Sequence, residues 1–138
     1  MFDTISVVIV DDVEEMRTML RLSLEMDGRF EVVGEAENGL EALQLVQKYE
    51  PNAVVLDLVM PKMGGIQAIP RIVDFSPETK ILALSSYDEH RRLKAMAAGA
   101  HDYTFKGEDF VRRVVLRLTS LCSQDHYDDD YEAASGTW

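Results

Sequence analysis

Two segments of the chain are apolar without interruption, VVIV at residues 7–10 and AVVL at residues 53–56. A strand with one face in water alternates apolar and polar residues. A run without that alternation is covered on both faces. Both runs end in acid: Asp11 and Asp12 follow the first, Asp57 the second. The chain therefore calls for a buried sheet between two layers of helix, with carboxylates gathered at one edge.

The rest of the pattern fits. Strand-like runs occur at Ser6–Val10, Phe30–Glu35, Ala53–Asp57, Ile81–Ser85 and Asp102–Phe105, and a helical period follows each. Residues 13–26 put Met16, Met19, Leu20 and Leu24 on one face, and residues 39–49 do so with Leu40, Leu43 and Val46. Ile66–Phe75, Glu89–Ala98 and Asp109–Leu121 complete five helices. Asp27-Gly28, Asn38-Gly39, Pro51 and Gly99 punctuate the helix ends. Asp12 and Glu15 have the spacing of a capping box for the first helix. Pro70 removes a backbone donor inside the third helical pattern, which predicts a late start or a kink there. Alternating strands and helices give a parallel sheet with helices on both faces. Ligands of such sheets sit beyond the carboxyl ends of the strands.

Size and charge narrow the function. A chain of 138 residues, 46% hydrophobic and 28% charged, is one globular domain. No apolar run approaches the ~20 residues that cross a bilayer, and "MFDTISVV" carries an acid where a secretory signal is basic. With one cysteine, Cys122, no internal disulfide forms, and a cytoplasmic location is expected. The formal net charge of -11 disfavours direct contact with nucleic acid. Five acids and no Lys or Arg fall between Asp125 and Trp138, leaving 20 acids against 14 bases in residues 1–124. Residues 123–138 are expected to form an acidic, flexible tail beyond a domain of residues 1–122.

The strand ends carry the chemistry. Asp11 and Asp12 end the first strand, Asp57 the third and Ser85-Ser86 the fourth, and Lys106 follows the fifth. Three carboxylates crowded at one edge need a cation to stay ionised. A hard divalent ion such as Mg²⁺ suits these oxygen ligands. Asp57, before the turn-rich LVMPKMGG, is the best-placed nucleophile, with Lys106 and a hydroxyl to steady phosphoryl oxygens. His90, His101 and His126 have no partner at metal-ligand spacing.

Taken together, VDD, VVLDLVMPKMGG, LALSS and YTFKG resemble the receiver domain of two-component response regulators, over about residues 5–122. The resemblance implies a flavodoxin-like, doubly wound five-stranded parallel sheet in the order 2-1-3-4-5 with five helices. It implies Asp57 as phosphoacceptor from a sensor histidine kinase or a histidine phosphotransfer protein. Mg²⁺ would be held by Asp11, Asp12, Asp57 and the main-chain carbonyl of Val59. Lys106 would contact the phosphoryl group, Ser85 would be the switch hydroxyl and Tyr103 the rotating aromatic. The output partner, or a second copy of the chain, would meet the face made by the fourth helix, fifth strand and fifth helix.

Three departures stand out. Gly107 follows the lysine where many receivers have proline, as in the branch fused to helix-turn-helix output domains. An N-terminal domain of a longer DNA-binding regulator is therefore the alternative to a stand-alone signalling protein. The stretch from Ser85 to Gly99 is one residue short, which leaves Ser86 open as the switch hydroxyl. MGG stands where Met-Asp-Gly is commoner. Val59 and Tyr87 are expected to flank the site and to shield an acyl phosphate from water. A magnesium-dependent hydrolase with an aspartate nucleophile would need an acid at position 59, which is Val59. A receiver-like interaction module without chemistry would have no use for the full acid set.

Overall fold

Val7 to Val10 and Ala53 to Leu56 are all fully buried, and successive residues enter opposite layers. Val8, Val10, Val54 and Leu56 face one apolar cluster, while Val7, Ile9, Ala53 and Val55 face the other. The computed structural model describes residues 4–86 and 88–122. The expected tail at 123–138 and Tyr87 lie outside the described residues. The elements are β1 (Ile5–Val10), α1 (Glu14–Asp27), β2 (Phe30–Ala36), α2 (Gly39–Tyr49), β3 (Ala53–Asp57), α3 (Gly65–Phe75), β4 (Lys80–Ser85), α4 (Glu89–Ala98), β5 (Asp102–Phe105) and α5 (Phe110–Cys122). The strands pair in parallel in the order β2-β1-β3-β4-β5, the doubly wound flavodoxin-like arrangement.

One layer is filled from α2, α3 and α4 by Ala42, Leu43, Val46, Ala68, Ile69, Ile72 and Ala95. The other is filled from α1 and α5 by Leu20, Leu24, Phe110, Val114 and Leu118. Each fully buried Leu or Ile contributes roughly 1.5–3 kcal/mol through removal from water. Two expected core positions are corrected: Met19 and Leu40 are about half exposed. Each lies off the centre of its helix's buried arc, which is taken by Leu20 and Leu24 on α1 and by Ala42, Leu43 and Val46 on α2.

The helix starts near the strand ends also differ from expectation. Asp12 and Glu15 do not form a capping box. The residue entering α1 is Val13, without a side-chain cap, and Asp11 Oδ1 accepts from Val13 N at 2.9 Å. α3 begins at Gly65, earlier than expected, and runs on past Pro70. Its start is packed against the end of β3: Gly65 N donates to Leu58 O at 3.1 Å, and a Cβ on Gly65 would lie 2.5 Å from Asp57 O. α2 begins with Asn38 capping Glu41 N at 2.9 Å. Gly39 N donates to Met63 O at 2.7 Å, so the loop after β3 is fastened to α2.

Candidate functional site

The carboxyl ends of β1, β3 and β5 bring the predicted charged groups together. One ligand oxygen from each of Asp11, Asp12 and Asp57 lies within 4.8 Å of the others. Asp11 and Asp57 are buried and Asp12 is exposed, so the cluster opens to solvent on one side. Lys106 Nζ, from the turn after β5, stands 2.8 Å from Asp11 Oδ2 and 3.2 Å from Asp57 Oδ2. Asp11 Oδ2 is buried, and its approach to Lys106 is an ion pair without hydrogen-bond alignment. That oxygen thus retains acceptor capacity, the property a cation ligand needs. Three carboxylates with one buried acceptor left open fit a small divalent ion with oxygen ligands.

Burial dominates at Asp57 and pushes its carboxyl up to about 6. Lys106 pulls the other way, Asp11 adds to the rise, and the amide of Val59 and the hydrogen bond to Lys106 lower it. Val59 N lies 3.3 Å from Asp57 Oδ1, and Val59 is 53% exposed. Burial also works against the Lys106 ammonium, but the close pairing with Asp11 and the charge of Asp57 outweigh it and raise its pKa.

Ser85 and Tyr103 meet each other at this edge. Ser85 is buried; its Oγ lies 2.9 Å from Tyr103 OH and donates to Ser86 O at 2.8 Å. Tyr103 OH also reaches Ser86 O at 3.3 Å. The side chain of Ser86 is exposed, and Ser85 is the serine that faces inward. The hydroxyl of Tyr103 therefore meets Ser85 at the end of β4.

Two groups that the sequence reading passed over support the site. Arg17 Nη1 donates to the main-chain carbonyl of Asp11 at 2.7 Å and its Nε pairs with Glu35 at 3.1 Å. Arg113 donates from Nε to Thr104 Oγ1 at 3.1 Å and from Nη2 to Phe105 O at 2.9 Å, and lies over the Phe105 ring 4.6 Å from its centroid. It thereby braces the turn that carries Lys106. The signal for Arg17 was the spacing of Arg17 and Arg21 along one face of α1, readable only once β2 is known to lie alongside.

The model of the response regulator receiver domain matches residues 7–115. The chain is 43% identical over 101 residues to the uncharacterized transcriptional regulatory protein YhcZ of Bacillus subtilis, covering 72% of this chain and 47% of that one. It spans about half the length of that relative. It is 41% identical over 101 residues to the chemotaxis protein CheY of Halobacterium salinarum, covering 72% of this chain and 82% of the relative. Among solved structures, a LuxR-family two-component response regulator from Aurantimonas aligns with a TM-score of 0.81 at 30% identity, over 88% of this chain and 86% of that one. A chain of the CheX–CheY–BeF3–Mg²⁺ complex of Borrelia burgdorferi aligns with a TM-score of 0.74 at 26% identity, over 86% of this chain and 90% of that one. Strand order, acidic edge and sequence agree, and the chain belongs to the response regulator receiver domain family.

Proposed function

We propose that Asp57 accepts a phosphoryl group from the phosphohistidine of a sensor histidine kinase or of a histidine phosphotransfer protein. The observation that carries this is the meeting of Asp57 with Asp11, Asp12 and Lys106 at one solvent-open edge. A carboxylate oxygen of Asp57 attacks phosphorus, the P–N bond breaks, and the imidazole leaves with the electron pair. Lys106 stays beside Asp57 and balances charge on the transferred group. The cation would be Mg²⁺, for which Asp11, Asp12, Asp57 and the main-chain carbonyl of Val59 would supply the ligands. When bound, it supplies the positive charge that lets the phosphoryl oxygens approach three carboxylates. Support comes from the donor set and from the Borrelia relative, whose structure holds Mg²⁺ and BeF3.

Ser85 is the switch hydroxyl and Tyr103 the aromatic coupled to it. Phosphorylation competes with Tyr103 and Ser86 O for Ser85, and the change passes to the face made by α4, β5 and α5, where an output partner or a second copy of the chain binds. This is a two-state equilibrium biased by differential contacts. Among the described residues no helix is long and apolar enough to cross a membrane. That the relative YhcZ is about twice the matched length favours a second reading, the first domain of a longer DNA-binding regulator. Determining whether the native reading frame continues after Trp138 separates the two.

The test is incubation with acetyl phosphate and Mg²⁺ followed by intact-mass measurement. The wild type gains one phosphoryl group and Asp57→Asn gains none. Equal labelling of the variant would sink the assignment.

A further inference from the structure

The turn from β1 to α1 carries two of the three clustered carboxylates, yet it is weakly tied from within. Val13 enters the helix without a side-chain cap, and the local bond that Asp11 makes is to Val13 N. From outside, Lys106 pairs with the Asp11 carboxylate, and Arg17 holds the main chain of the turn. Its Nη1 donates to Asp11 O at 2.7 Å, its Nε pairs with Glu35 Oε1 at 3.1 Å, and the side chain is 13% exposed. Glu35 sits near the end of β2, in register with Ile9, and its other oxygen takes Arg21 Nε at 3.0 Å. The amide of Asp11 donates to Ala36 O at 3.0 Å. The turn is thus clasped between β2 and the first turns of α1.

We infer that Arg17 is a positioning residue for the divalent-cation site, fixing the main chain of Asp11 so that the carboxylates of Asp11 and Asp12 converge. This rests on the metal site proposed above. Arg17 acts on a bound cation in two opposing ways. Its charge repels the cation, but Glu35, which it shares with Arg21, offsets much of that charge at hydrogen-bond distance. Its hydrogen bond keeps the ligand-bearing turn in place, and losing an outer partner of this kind weakens metal binding by about 10- to 100-fold. Orientation wins, and the resulting sign is diagnostic: deleting a cation near the site weakens cation binding.

The experiment is calorimetric titration of Mg²⁺ into the full chain as wild type, Arg17→Met, Arg17→Lys and Glu35→Gln. Urea unfolding of each metal-free protein fixes conditions in which it is folded. Arg17→Met is expected to bind Mg²⁺ about tenfold more weakly. Glu35→Gln shifts in the same direction by less, because Arg17 keeps the Asp11 carbonyl but loses its charged anchor. Arg17→Lys falls between, since an ammonium lacks the fork that holds both partners at once. Lower urea midpoints with an unchanged Mg²⁺ dissociation constant would show a merely structural role and overturn the inference. Tighter binding by Arg17→Met, the sign of charge repulsion, would overturn it too. If Arg17→Met does not fold, the other two variants decide by the same criterion. A wild type that binds no Mg²⁺ overturns the metal site and this inference together. Binding by the wild type with unchanged variants overturns this inference alone.

Discussion

Asp57 sits where its neutral form is favoured, and that has a measurable effect on the metal-free protein. Its carboxyl titrates at about 6 when folded against 3.8 for the free side chain, chiefly through burial. Near pH 4 and below, the group adds no penalty. As pH rises from about 4 to about 6, the unfolded chain releases this proton while the folded one keeps it, so stability falls. Above about pH 6 the penalty is constant, at most about 3 kcal/mol. Asp57→Asn removes it. Urea unfolding without metal should show the variant gaining on the wild type across that range, with a plateau above it. A gap that does not widen with pH would refute the account. Val59 offers a second test at this scale. Its amide reaches the acceptor and its apolar side chain is exposed, so if that side chain shields the acceptor, Val59→Asn should shorten the lifetime of the acyl phosphate severalfold by admitting water. Decay of the intact-mass label after removal of the phosphodonor measures it, and an unchanged half-life contradicts it. The acids, Lys106 and Ser85 were legible because they end strands. Arg17 and Arg113 were not, because their value lies in main-chain atoms of other elements that no local pattern reveals.

Elements differ in how tightly their ends are built. A Cβ at Gly65 would meet the main chain of Asp57 and Leu58, at 2.5 and 3.0 Å. Backbone cannot step aside as a side-chain tip can, so Gly65→Ala should lose roughly 1–3 kcal/mol, in the range of overpacking. It should also slow labelling of Asp57, whose own carbonyl is pushed. Gly28, which ends α1 at φ +90, has nothing within 4 Å of a would-be Cβ. Gly28→Ala therefore loses only the conformational preference, about 1 kcal/mol, and leaves labelling unchanged. Urea midpoints and labelling rates of the two variants make the comparison, and equal labelling rates would contradict it. The central strands β1 and β3 could be read in advance because burial on both faces leaves their runs almost wholly apolar. Helix starts were read less well. Asp12 looked like a cap, but α1 is entered at Val13 and Asp11 takes the local bond. Pro70 predicted a late start or a kink, but in the middle of α3 it removes one bond from a helix that tertiary packing of Ala68, Ile69 and Ile72 already holds.

For the molecule as a whole, the sheet separates two apolar layers and presents the charged edge above both. Metal binding to the folded state alone should raise stability by mass action, about 2.7 kcal/mol when free Mg²⁺ is 100 times the dissociation constant. Thermal melts with Mg²⁺, and again after a chelator, should show a reversible rise in Tm that Asp12→Ala abolishes. Persistence of the rise in that variant would remove Asp12 from the ligand set. The overall layering followed from strand–helix alternation, whereas the fastening of one loop to another could not, since it depends on contacts between chain segments far apart. That fastening is lopsided. On one side of the acceptor, the loop after β3 is bolted down at both ends, by Gly39 on Met63 and by Gly65 on Leu58. On the other, the end of β4 is latched by hydroxyls, Ser85 and Tyr103 around Ser86 O. The crevice resembles a door with one fixed jamb: under the proposed transfer, a load placed on Asp57 should swing the latch side, toward α4 and β5, more than α2 and α3.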